Sequence, residues 1–86
     1  LAVAEVSAER RKALKVAGGV AVEAVDGAAL AAGIQPGDVI LRVNNTDIRD
    51  LKGYNEAVAK LDAKKPVALL VRDEDGTRFV TLRAEE

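Results

Sequence analysis

The sequence predicts a mainly β fold with two or three short helices: a partly open β-barrel or sandwich capped by those helices. Three observations predict it. Short Val-rich runs recur between turns of Gly, Asp and Pro, the punctuation of half-buried strands. Helical segments interrupt these runs without strict strand–helix alternation, and they are too few to cover both faces of a parallel sheet. The apolar residues, 49% of 86, are nearly all Ala, Val, Leu and Ile, with one Tyr and one Phe. The core is therefore built from methyl-bearing side chains, and the length supports one domain, residues 1–86.

Taken in order, Leu1 to Val6 is apolar except at Glu5 and reads as a short, largely buried strand. Ser7 stops it and caps a helix running to Lys15, with Glu9 in the first turn, basic residues toward the dipole-favoured end, Leu14 inward and Gly18-Gly19 closing it. Val20 to Val25 is the next strand, with Val20, Val22 and Val25 inward and Asp26-Gly27 as its turn. Ala28 to Ala32 has room for one or two helical turns; Gly33 caps it, and Leu30 and Ile34 form the packed group. Gln35-Pro36-Gly37-Asp38 turns the chain into the buried strand Val39 to Val43, and Asn44 to Asp47 turns it again. Asp50 caps a longer helix whose apolar stripe is Leu51, Tyr54, Val58 and Leu61. Lys64-Lys65-Pro66 ends that helix. A hairpin follows: Val67 to Arg72, the acidic turn Asp73 to Gly76, and Thr77 to Arg83, with Phe79 or Val80 buried.

Composition excludes several classes of function. Thirteen basic and fourteen acidic residues are spread along the chain, which argues against a nucleic-acid or anionic-membrane binder. With no His, no Cys and a single Ser, Ser7, the chain cannot assemble a Ser-His-Asp or Cys-His nucleophile, and most zinc sites are excluded. The longest uncharged stretch, Gly27 to Gly37, is about half of what a membrane span needs and is broken by Gly33 and Pro36, so no membrane insertion is expected. Charges fall where a signal peptide would need its apolar segment. The chain begins with Leu and not Met, which predicts a segment of a longer protein.

Candidate chemistry thins out on inspection. Asp73, Asp75 and Gly76 imitate the start of a calcium loop, but the distal Glu that closes such a loop is missing, so they read as a solvated turn. Asp47 and Asp50 are no acid–base pair, because Asp50 serves as a helix cap and neither has an apolar setting. The turn glycines lack the spacing of a phosphate cradle. The run Arg10-Arg11-Lys12 has no aromatic neighbour for base stacking and reads as a solvated helix face. No metal, cofactor or catalytic residue is expected. What survives is a space between the N-terminal strand and the helix carrying Gly53, Ala57 and Leu61. Spacing alone leaves it open whether this is an apolar groove or simply core.

The run Ala28-Ala29-Leu30-Ala31-Ala32-Gly33-Ile34-Gln35-Pro36-Gly37-Asp38-Val39-Ile40-Leu41-Arg42-Val43-Asn44 resembles the PDZ-domain pattern of small residues, then A-G-[IL]-x-x-G-D-x-I, then a strand ending in Asn. The likeness extends from Leu1 to Leu82. It is similar in particular to the PDZ domains of bacterial Do/HtrA (Deg)-type periplasmic serine proteases, in which a helical insert like Ser7 to Lys15 separates the ligand-pairing strand from a Gly-Gly-Val-x-Val strand. Asn45 after Asn44, and the closing Phe79 to Leu82, are more similar to the second, C-terminal PDZ domain of such proteases.

The resemblance implies a peptide-binding module that adds extended segments, often free C-termini, to the edge of the Leu1–Val6 strand. Leu1, Ala2, Val3 and Ala4 match the carboxylate loop's end and the strand, and Tyr54, Ala57, Val58 and Leu61 match the helix positions lining the pocket. The family's first strand and part of the carboxylate loop should lie upstream of Leu1. Gly53 stands near the position where some members carry a hydroxyl-reading His, so an apolar C-terminal residue is expected. The implied partners are peptides or unfolded segments, together with the protease domain and other PDZ domains of the parent. The implied location is the periplasm, in protein quality control, with the catalytic triad elsewhere in the parent. Substituting Ala57 with Lys is expected to abolish binding without unfolding the chain. Two alternatives stay open: an assembly or regulatory domain of the protease oligomer, and a different host such as an intramembrane or C-terminal processing protease.

Overall fold

The computed structural model describes residues 2–25, 27–60 and 66–82. The elements run β1 (Ala2–Glu5), α1 (Ala8–Leu14), β2 (Val20–Ala24), α2 (Gly27–Ala31), β3 (Val39–Val43), β4 (Thr46–Asp47), α3 (Leu51–Ala59), β5 (Val67–Asp73) and β6 (Gly76–Leu82). The strands form an open antiparallel sheet in the order β1-β2-β3-β5-β6, with the two-residue β4 folded against β3. This is the mainly β architecture with three short helices that the sequence predicts.

Strand alternation divides the sheet into two faces. One face carries Val20, Val22, Ile40, Val43, Leu69, Val71 and Val80, which pack with Ala29, Ile34, Ile48 and Ala57 into the main core. The other carries Val39, covered by Val6 and by Leu14 of α1. Ala and Val at these positions follow from the composition: the core holds no aromatic ring.

Several local expectations need correction. Helix α1 ends not at Gly18-Gly19 but at Lys15, which adopts the left-handed conformation (φ 57°). Its N–H and that of Val16 return to the carbonyls of Lys12 and Arg11, closing the last turn. Ser7 caps the other end, its hydroxyl accepting from the Arg10 N–H at 3.1 Å. Gly19 has a different task. Its φ is +105°, and a Cβ there would lie 2.7 Å from the Ile40 carbonyl oxygen, so only glycine lets the chain enter β2 so close to β3.

Leu30 does not share a packed group with Ile34. Ile34 is fully buried while Leu30 is 58% exposed, and in a five-residue helix Ala29 is the side chain turned inward. In the stripe of α3, Ala57 is buried and Val58 is 39% exposed, so the inward face lies one residue earlier than the spacing implies. Of Phe79 and Val80 the buried one is Val80; Phe79 is 69% exposed. Asn44 to Asp47 is more than a turn, because Thr46 and Asp47 pair back onto Val43 and Arg42. Leu61 and the Lys64-Lys65 helix end lie outside the described residues.

The α2–β3 turn is held by one half-enclosed charge network. Asp38, nearly buried, accepts from the Gln35 N–H at 3.0 Å and from Arg78 at 3.2 Å, while Arg78 also donates to the Gly33 carbonyl and to Asp73. The buried carboxylate thereby has both a hydrogen-bond donor and a cation on its Oδ2.

Candidate functional site

Strand β1 lies at an edge of the sheet. It pairs with β2 only, so its outer row of N–H and C=O groups has no partner strand among the described residues. Beside that edge lies α3, packed across β1 and β3. An exposed strand edge is a template for another strand, and a helix alongside gives the added strand's side chains a wall to meet.

Register decides which residues can meet them. Val3 stands opposite Val22 and Glu5 opposite Val20, both core residues, whereas Ala4 stands opposite Ala21 on the α1 side. Val3 and Glu5 therefore point toward α3, and Ala4 points away. Val3, Leu51 and Tyr54 are half-buried against the same cluster that contains Ala57. The fold thus brings Val3, Tyr54 and Ala57 together. It leaves Ala2 and Val58 open to solvent at the strand and on the helix, and it turns Ala4 away from α3. Leu1 and Leu61 lie outside the described residues.

The helix wall is set by its own sequence. Asp50 is its N-cap, the carboxylate accepting from the Gly53 N–H at 2.8 Å. Burial pushes the Tyr54 hydroxyl above its ordinary value, so this ring stays neutral throughout the working range. Ala57 is 8% exposed, which makes the substitution Ala57→Lys a test of stability as much as of binding; Val58 is the cleaner probe.

One contact was absent from the sequence reading. The Glu5 carboxylate accepts a hydrogen bond from the Leu51 N–H, tying the end of β1 to the first turn of α3. Its signal in the sequence is Glu5 itself, the one charged residue in an otherwise apolar run, at a position whose alternation points it inward.

The arrangement offers hydrogen-bonding backbone, an apolar wall and one carboxylate. Among the described residues no group of three His, Cys, Asp or Glu side chains is placed to hold a metal ion, and no helix is long and apolar enough to cross a membrane.

Comparisons with known proteins agree with this geometry. The family described as PDZ domain matches residues 3–72. Two proteins named "Probable periplasmic serine endoprotease DegP-like" are similar over almost the entire chain: that of Pseudomonas fulva (strain 12-X) is 36% identical over 87 residues, covering 100% of this chain. That of Hahella chejuensis (strain KCTC 2396) is 37% identical over 84 residues, covering 96%. The chain spans only 18% of the length of each. Among solved structures, the HtrA3 PDZ domain bound to a phage-derived ligand (FGRWV) superposes with a TM-score of 0.79 at 24% identity, covering 99% of this chain and 81% of that one. The HtrA-type protease AlgW with a decapeptide gives 0.85 at 24% identity, covering 96% and 26%. At that identity the two structures speak for the fold.

Proposed function

The chain belongs to the PDZ domain family, and from that premise we propose that residues 1–86 form one non-catalytic peptide-binding module of a periplasmic serine endoprotease. It takes apolar, often C-terminal, segments of unfolded proteins as an added antiparallel strand between β1 and α3. The observation that carries this reading is the unpartnered edge of β1 lying beside α3, with Val3, Tyr54 and Ala57 gathered between them. The DegP-like relatives support the host and the periplasmic location, and the peptide-bound neighbours support the ligand class. The triad belongs to the remainder of the parent, since this chain has no His.

Strand addition has a definite energetic scale. A few ladder hydrogen bonds and one apolar side chain must offset the ordering of a flexible peptide, which places the affinity at about 1 to 100 μM, roughly -8 to -5.5 kcal/mol. Ladder bonding is tested with peptides N-methylated one residue at a time. Because an antiparallel edge uses alternate N–H groups, binding should be lost at every second position and kept between. Losses independent of position would rule out strand addition.

A further inference from the structure

We propose that the chain carries a second binding site, a pocket for a small carboxylate with an aliphatic or aromatic body. It lies between the loop that leaves α1 and the loop from β4 to α3, with a volume of about 610 Å³, within the range of small-molecule sites. None of its lining residues belongs to β1 or α3, so it is separate from the groove described above. Its floor is apolar. Val16 and Leu41 are half-buried against the cluster of Val6, Leu14 and Val39, and Ile48 is buried in the main core. Its walls are held by backbone. The Gly19 N–H donates to the Arg49 carbonyl at 3.3 Å, and a Cβ on Gly18 would lie 2.8 Å from the Arg49 Cα, so the two loops meet main chain to main chain. A ligand therefore enters a preformed site and orders little on binding.

Charge and hydrogen bonding choose the occupant. Lys15 and Arg49 line the pocket and are exposed, and none of the ion pairs among the described residues includes either. The one carboxylate of the lining, Asp47, is held by Arg42 at 2.8 Å. With Arg42 counted, three cations surround one anion here, in a chain whose net charge is -1. The site therefore favours an anion. An extended peptide is a poor fit, because the N–H groups of Val16, Gly19 and Ile48 are already given to the carbonyls of Arg11, Arg49 and Leu41 and cannot serve a ladder. The acidic turn Asp73 to Gly76 of a second copy matches the charge but brings no apolar side chain for the floor. An apolar body on Val16, Leu41 and Ile48, with its carboxylate at Lys15 and Arg49, satisfies both halves of the pocket.

The test follows nitrogen-15 amide shifts of the chain titrated with octanoate, octanol and octyltrimethylammonium, and repeats the titrations with Lys15→Gln and Arg49→Gln combined. Both residues are exposed, so the double variant should keep its melting temperature. Octanoate should shift Lys15 to Gly18 and Asp47 to Arg49. It should bind about tenfold more tightly than octanol at low salt, the ratio shrinking as salt rises. The double variant should lose that preference, and octyltrimethylammonium should bind no better than octanol. Equal affinities for octanoate and octanol, or a preference unchanged in the double variant, would overturn the proposal. Octanoate shifts confined to Ala2 to Glu5 and Tyr54 to Val58 would also overturn it, placing the probe in the groove and leaving the peptide reading intact. Absence of shifts with all three probes overturns it as well.

Discussion

Lysine introduced at position 57 and at position 58 should have opposite effects, although the two residues are adjacent on one helix. Ala57 is in the core cluster, so Ala57→Lys forces a long cation into filled space and should destabilise the fold by about 1 to 3 kcal/mol. Val58 is substantially exposed, so Val58→Lys should leave urea stability within about 0.5 kcal/mol while weakening an apolar-ended peptide severalfold. Equal stability losses in the two variants would contradict the assignment of the helix faces. Asp73 contributes to the pH dependence of stability. Desolvation raises its pKa, but the N–H groups of Asp75 and Gly76 and the Arg78 guanidinium outweigh it and hold the carboxyl below the usual carboxylate range. A lowered folded pKa means stability that is present above the unfolded value and lost as pH falls through the folded one. Denaturation midpoints followed downward from neutral pH should therefore decline in the acid range, and Asp73→Asn should flatten that decline.

Helix α3 starts at a side-chain cap, Asp50. Asp50→Ala should reduce stability by about 1 kcal/mol and loosen the wall of the groove, read as faster amide exchange in Leu51 to Tyr54 before any loss in the sheet. Strands and caps were largely legible in the sequence because they depend on nearest neighbours: Ser7 and Asp50 as caps, Gly37 (φ +99°) in the turn before β3, and the acidic turn between β5 and β6 all stand where local chemistry puts them. What was not legible depends on partners distant in the chain. Leu30 looks like core by its chemistry, yet which way a five-residue helix rolls is decided by the sheet it lies on, and there Ala29 fits. The roll of α3 onto Ala57 was hidden for the same reason. Lys15 takes the left-handed cap against residue preference, and Gly18 and Gly19 serve further on, where the backbone passes Arg49 and Ile40. The Glu5–Leu51 contact joins residues 46 apart in the chain, beyond any local pattern.

At the scale of the molecule, the main path of the sheet ends at β1 and β6 among the described strands, and of these two β1 has the more extensive contact with a helix, α3. That asymmetry is why peptide capture is assigned to β1. Binding there must also stabilise the fold as a unit, because β1 is an integral strand: a peptide at a hundred times its Kd should add about 2.7 kcal/mol to the unfolding free energy, seen as a higher melting temperature with the free-carboxylate peptide. The most direct measurement is a nitrogen-15 amide shift titration of the chain with one apolar-ended peptide in two forms, free carboxylate and C-terminal amide. Strand addition at a groove that reads C-termini predicts shifts concentrated in Ala2 to Glu5 and Tyr54 to Val58, larger with the free carboxylate. Shifts centred on β6 and Phe79, or none with either form, would contradict it.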